Sequence, residues 1–256
     1  MRAKAPEHWK AISWEEKARE NPLSAVMTTS DMTDAPPDDF SPEQLDAFFA
    51  KGRALWSKHV APLLKDAPPG ALVMEYGCGA GRILRAAVDD GFACAGIDIS
   101  PTMLGHCARL VPEAALYALD PGGRCAMPGA SATLVFSYSV LQHIASLNNY
   151  ITAVDEMCRV LKPGGVLAVQ LNCEDFNQGD LTTPGRTENF EDHSLHYRQG
   201  TDKMYKRHPQ DEWSGVYVGA DTMTALLAER GVTVERWYYH NPNKLRALWV
   251  VARKAA

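Results

Sequence analysis

Apolar positions change rhythm about a quarter of the way along this 256-residue chain. Leu45, Phe48, Phe49, Gly52, Leu55, Trp56, His59, Val60 and Leu63 recur at spacings of three and four, which is one face of a helix. Ser41-Pro42-Glu43-Gln44 supplies its start. Ser41 can cap, Pro42 fits the first turn and Gln44 completes a capping box. Pro68-Pro69-Gly70 closes the segment. Upstream, the stretch to Ser30 is rich in Trp, Glu and Lys and reads as one or two helices. Asp34-Ala35-Pro36-Pro37-Asp38-Asp39 reads as a loop.

From Ala71 short apolar runs alternate with helical stretches. Strands are expected at 72–76, 93–97, 115–119, 133–138 and 166–171. Helices are expected at 83–90, from Ser100-Pro101 to about Val111, and at 149–161, the last stopped by Lys162-Pro163-Gly164-Gly165. Such alternation implies right-handed crossovers and a parallel sheet. A polar insert runs from about Asn172 to Gly215. A helix at 221–230 follows, with Gly231 as its stop. Strands at 232–239 and 245–251, joined by Asn241-Pro242-Asn243, should form an antiparallel hairpin. The expectation is a doubly wound α/β sheet of seven strands, mostly parallel, at 67–256. Residues 1–66 would form a helical lid, and the insert 172–215 would cover the substrate.

Composition narrows the function. Hydrophobic residues make up 46% and charged residues 22%, as in ordinary globular proteins. The net charge of -5 gives no overall field to hold a polyphosphate backbone, which argues against a large nucleic-acid partner. No apolar run reaches the roughly 18 residues of a membrane span, and the first residues lack the apolar stretch of a secretory signal. The six cysteines (Cys78, Cys94, Cys107, Cys125, Cys158 and Cys173) are scattered and form no C-x-x-C pair, as expected of buried thiols in a reducing cytoplasm.

The candidate chemistry begins at Glu75-Tyr76-Gly77-Cys78-Gly79-Ala80-Gly81-Arg82, between the first strand and its helix. Glycines there let the backbone turn sharply and approach a ligand, and open α/β sheets bind ligands at this edge. The spacing is G-x-G-x-G, not the G-x-G-x-x-G of a dinucleotide site. Asp98, ending the second strand, can accept both hydroxyls of a ribose. That says nucleoside without choosing the cofactor. Asp98 can also cap the helix that begins near Pro101.

These segments, with Val140-Leu141-Gln142-His143-Ile144 and Arg159-Val160-Leu161-Lys162-Pro163-Gly164-Gly165, resemble the class I S-adenosylmethionine-dependent methyltransferases of the bacterial small-molecule type. The resemblance covers residues 70–172 and implies a Rossmann-like fold, with S-adenosyl-L-methionine as cofactor and S-adenosyl-L-homocysteine as product. It implies that Glu75 and the backbone of Gly77, Cys78, Gly79 and Gly81 hold the methionine part. Asp98 would hold the ribose, with Ile99 and Met103 beside the adenine and Asp120 near its amino group. Ser137 or Tyr138 would face the cofactor by a backbone carbonyl, and Arg82 would lie near its carboxylate. Ala132-Thr133 departs from the Phe-Asp pair that often opens the fourth strand in this family.

A methyltransferase must hold a nucleophile in line with the S–CH3 bond, at roughly 3 Å, for an SN2 displacement. His143 is the candidate base, poised near neutral pH, and Gln142 can orient an acceptor oxygen or nitrogen. Both also fit a packing role. His196 and Tyr197, in an insert that also carries His193, Arg198, Tyr205, Lys206, Arg207 and His208, suit an anionic or aromatic acceptor. They equally suit a solvated loop. No metal is expected, since His193 and His196 lack an acid or cysteine at ligand spacing. A small-molecule acceptor is the leading expectation, with protein or tRNA next. A nicotinamide-dependent oxidoreductase and a non-catalytic binding module are the other readings.

Overall fold

The computed structural model describes residues 14–25, 40–144, 147–172, 218, 220–239 and 247–256. Its strands are β1 (Leu72–Tyr76), β2 (Ala93–Asp98), β3 (Ala115–Ala118), β4 (Ala132–Ser137), β5 (Leu161–Asn172), β6 (Val232–Tyr239) and β7 (Ala247–Lys254). They form one seven-stranded sheet in the order β3-β2-β1-β4-β5-β7-β6. The first five pair in parallel. β7 runs antiparallel to both β5 and β6. This is the doubly wound mixed sheet expected, with its antiparallel C-terminal pair. The expected turn at 241–243 lies outside the described residues.

Helices are α1 (Trp14–Glu20), α2 (Pro22–Ala25), α3 (Pro42–Leu55), α4 (Leu84–Asp89), α5 (Pro101–Leu110), α6 (Leu147–Val160) and α7 (Ala220–Ala228). One face of the sheet is covered by Tyr150, Val154 and Met157 of α6 and by Met223 and Leu227 of α7. The other face meets Leu84, Ala86 and Ala87 of α4, Cys107 of α5, and Trp56, Val60 and Leu64 after α3. Burial on both faces explains why the central strands read as continuous apolar runs.

The capping box at Ser41 forms as expected. Gln44 N–H donates to Ser41 Oγ at 3.3 Å, and Ser41 N–H donates to Gln44 Oε1 at 2.8 Å. The long helix does not continue to Leu63 in one form. It ends at Leu55 and passes through a π turn (Trp56–Val60) and a 3-10 turn (Ala61–Leu64). Pro62 is the physical reason, because its ring crowds the carbonyl four residues back and it has no N–H to give. The Lys-Pro-Gly-Gly run also differs from expectation. β5 already begins at Leu161, which pairs with Ala132, and a register irregularity follows before Leu134. Gly164, at φ 72°, absorbs the bend inside the strand.

The loop from β3 to β4 is held by the fully buried Glu156 of α6. Its carboxylate accepts from Cys125 N–H (2.9 Å) and from Arg159 Nε (2.8 Å) and Nη2 (2.6 Å). Arg159 also donates to the carbonyl of Met127 (2.7 Å). Burial works to raise the Glu156 pKa, but these hydrogen bonds bring it down to about 2.

Candidate active site

The carboxyl ends of β1, β2 and β4 place the site. Gly77 and Cys78 N–H both donate to the carbonyl of Ile97, at 2.7 and 3.0 Å, so the glycine loop starts pinned to β2. Gly77, Gly79 and Gly81 all take positive φ (77°, 51° and 84°), where a side chain is strained. Two of them are also demanded by packing. A Cβ on Gly77 would stand 2.3 Å from Val140, and one on Gly81 would stand 2.7 Å from Val111 and 2.8 Å from Cys107.

Asp98 sits inside this loop. Its Oδ2 accepts from Gly79 N–H at 2.8 Å, and its Oδ1 accepts from Ser100 N–H at 2.9 Å. The backbone N–H of Ile99 donates to the carboxylate as well. Capping of α5 falls to Ser100, whose Oγ accepts from Met103 N–H at 3.1 Å. The alternative capping role considered for Asp98 thus belongs to its neighbour. Burial pushes the Asp98 carboxyl up, against the pull of those backbone hydrogen bonds.

Glu75 is buried at the end of β1. It takes a hydrogen bond from the Leu84 backbone N–H, while its Oε2 has no hydrogen-bond partner. Burial raises its pKa well above the carboxylate range, and nearby Arg82 partly offsets this. The Arg82 guanidinium lies over the Tyr138 ring, 5.8 Å from its centroid. A buried carboxylate oxygen with no donor, beside a loop of three positive-φ glycines, fits a ligand that brings hydrogen-bond donors or positive charge.

Ile99 is a large apolar side chain left 61% exposed beside Asp98, as a planar apolar ligand group would require. Met103 is instead enclosed with Ala18, Leu23, Phe48 and Ala80. Asp120 is exposed one strand further, and its Oδ1 accepts from Gly122 and Arg124 N–H. Ser137 is buried, and its Oγ donates to the carbonyl of Tyr76 at 2.9 Å.

Past β4, Gln142 and His143 lie in a 3-10 turn (Leu141–His143). Gln142 Nε2 donates to Ser139 Oγ at 2.9 Å and approaches His143 Nε2 at 3.3 Å. With its amide hydrogens so directed, Gln142 presents a buried Oε1 that has no partner. Sequence reasoning missed the residues supporting this turn. Ser139 is held at φ 61°, and its N–H donates to the buried Gln170 Oε1 at 2.9 Å. The signal was there, in one amide within the apolar run Val166-Leu167-Ala168-Val169-Gln170-Leu171. His196 and Tyr197 lie outside the described residues. Among the described residues, no group of three or more His, Cys, Asp or Glu is placed to hold a metal ion.

Residues 74–169 match the family model described as a methyltransferase domain. Residues 74–169 thus carry a methyltransferase domain. The domain is 34% identical over 145 residues to a 2-methyl-6-phytyl-1,4-hydroquinone methyltransferase of Synechocystis, covering 56% of this chain and 41% of that protein. It is 28% identical over 125 residues to a tRNA (carboxymethyluridine(34)-5-O)-methyltransferase of Macaca fascicularis, covering 48% of this chain and 18% of the relative. The chain thus spans less than half the length of these curated relatives. The methyltransferase fold is shared with magnesium protoporphyrin IX methyltransferase from Synechocystis, solved with bound S-adenosylhomocysteine. That likeness has a TM-score of 0.56 at 17% identity, over 85% of this chain and 90% of the other.

Proposed function

We propose that this protein transfers a methyl group from S-adenosylmethionine to an oxygen or nitrogen of a small-molecule acceptor. The observation that carries the reading is Glu75, buried against the glycine loop with one oxygen lacking a donor. A pyrophosphate placed there would meet a carboxylate, whereas a cationic sulfonium with its ammonium group would be attracted. This disfavours the nicotinamide alternative. Glu75 and the loop from Gly77 to Gly81, including Cys78, would hold the methionine part, with Arg82 beside its carboxylate. Asp98 would take the ribose hydroxyls and Ile99 would flank the adenine. Asp120 and the backbone at Ser137 and Tyr138 would complete the cofactor site. When bound, the cofactor supplies an activated methyl group.

The acceptor side is the turn with Gln142 and His143. Gln142 Oε1 would accept a hydrogen bond from the acceptor's O–H or N–H, and the His143 imidazole would take its proton. The likeness to hydroquinone and porphyrin methyltransferases supports a small acceptor, and the net charge of -5 agrees. The tRNA methyltransferase among the relatives supports a second reading, a nucleic-acid acceptor. The test is to supply S-adenosylmethionine with panels of hydroquinones, carboxylic acids, amines and unmodified tRNA, and to measure S-adenosylhomocysteine. Turnover with a small acceptor and none with tRNA is the expected result. Turnover with tRNA alone would establish the second reading.

A further inference from the structure

Glu15 of α1 lies far from the glycine loop in sequence, yet its carboxylate lands next to Asp98. It accepts from Ser100 Oγ at 2.6 Å, from Thr102 Oγ1 at 2.7 Å and from Thr102 N–H at 3.2 Å. These donors belong to the N-cap and first turn of α5, where free N–H groups and the helix dipole favour an anion. The hydrogen bonds hold the Glu15 carboxyl down to about 2. The preceding residue, Trp14, sets its ring edge-on against His143, with centroids 5.1 Å apart.

The topology gives these contacts their meaning. Ser100 follows β2, His143 follows β4, and β1 runs between those strands. Consecutive residues of α1 therefore reach both sides of the edge from which the glycine loop springs. One turn later Ala18 is fully buried with Ala80 of that loop and with Met103. Ser100 joins the two carboxylates, its N–H donating to Asp98 and its Oγ to Glu15.

We propose that Glu15 is a positioning residue that clasps α1 over the S-adenosyl site, so that docking of α1 and binding of the cofactor strengthen each other. The proposal rests on the methyltransferase reading above. Through Ser100, Glu15 sets the orientation of the carboxylate that would receive the ribose. Through α1 it holds Trp14 against His143. A ligand seated on Asp98 then leaves only when α1 lifts, as with other lids. By linkage, the ligand holds α1 down as strongly as α1 holds the ligand.

The test is the dissociation rate of S-adenosylhomocysteine from the full chain, with hydrogen exchange across 14–20 measured in its presence and absence. Release should be about tenfold faster or more in Glu15→Ala, and less accelerated in Glu15→Gln, which keeps an accepting oxygen. Bound S-adenosylhomocysteine should slow exchange in α1 of the parent but not of Glu15→Ala. Thr102→Val removes one hydroxyl donor without touching α1, and should also speed release if Glu15→Ala fails to fold. Release within about twofold of the parent, with α1 exchange indifferent to the ligand, would overturn the clasp and leave the methyltransferase reading standing. A folded parent that binds no S-adenosylhomocysteine would overturn both.

Discussion

The carbonyl oxygen of Arg82 lies 1.9 Å from where a Cβ on Gly52 would stand. α3 therefore rests directly on the backbone of the glycine loop, and Gly52 is fully within a packed contact. Gly52→Ala should shift the loop or α3 and cost about 1–3 kcal/mol, the scale of overpacking. It should also weaken S-adenosylhomocysteine binding, because Arg82 and Gly81 move with the loop. Denaturant unfolding and calorimetric titration of the variant check the two effects separately.

Asp98→Ala removes a buried acceptor bonded to the backbone N–H groups of Gly79, Ile99 and Ser100. Cofactor affinity should fall by about 1.5–3 kcal/mol. Glu75→Gln keeps the shape but removes the charge, and should weaken S-adenosylmethionine more than S-adenosylhomocysteine, since only the former carries the sulfonium charge. Equal losses for the two ligands would remove Glu75 from the neighbourhood of the sulfur.

Binding should also release protons. Burial raises the carboxyls of Asp98 and Glu75 in the free protein. A cationic ligand beside Glu75 would favour the ionised form, lowering its pKa in the complex. The complex then holds fewer protons than the free protein. Affinity should rise with pH and level off once the free carboxyls ionise. Titration in buffers of different ionisation enthalpy measures this, and proton uptake would contradict it.

Much of the fold was legible because its signals are local. The capping box at Ser41, the glycine spacing at 77, 79 and 81, and the apolar runs of β1 to β5 each declare themselves within a few residues. The π turn at Trp56–Val60 was less so, since Pro62 acts on a carbonyl four residues away within an otherwise unbroken helical pattern. The place of Asp98 beside the glycine loop was legible because it ends a strand. Glu15 was not, because its partners Ser100 and Thr102 are contiguous with it only in the folded chain.

The Glu156 anchor should show in acid stability. Its folded pKa is about 2, below the ordinary value of 4.5. Its contribution is therefore complete above about pH 5 and fades as pH falls towards 2. Glu156→Gln should cost about 3 kcal/mol at pH 7, because Arg159 loses its charged partner and keeps carbonyl acceptors. Urea unfolding of parent and variant should draw together as pH falls towards 2. A gap that stays constant with pH would mean the carboxylate charge is not what holds the loop.

His143→Ala should lower single-turnover methylation roughly 100-fold while cofactor binding is kept, if the imidazole takes the acceptor's proton. Gln142→Leu, which removes the orphan acceptor, should raise KM more than it lowers kcat. Full activity of both variants would return the turn to a structural role.

The most direct test of the central claim is calorimetric titration of the purified protein with S-adenosylmethionine, S-adenosylhomocysteine and NADH. Micromolar binding of the first two, at about -8 kcal/mol, and no binding of NADH is the expected result. Binding of NADH alone, or of no ligand by a folded sample, would contradict it.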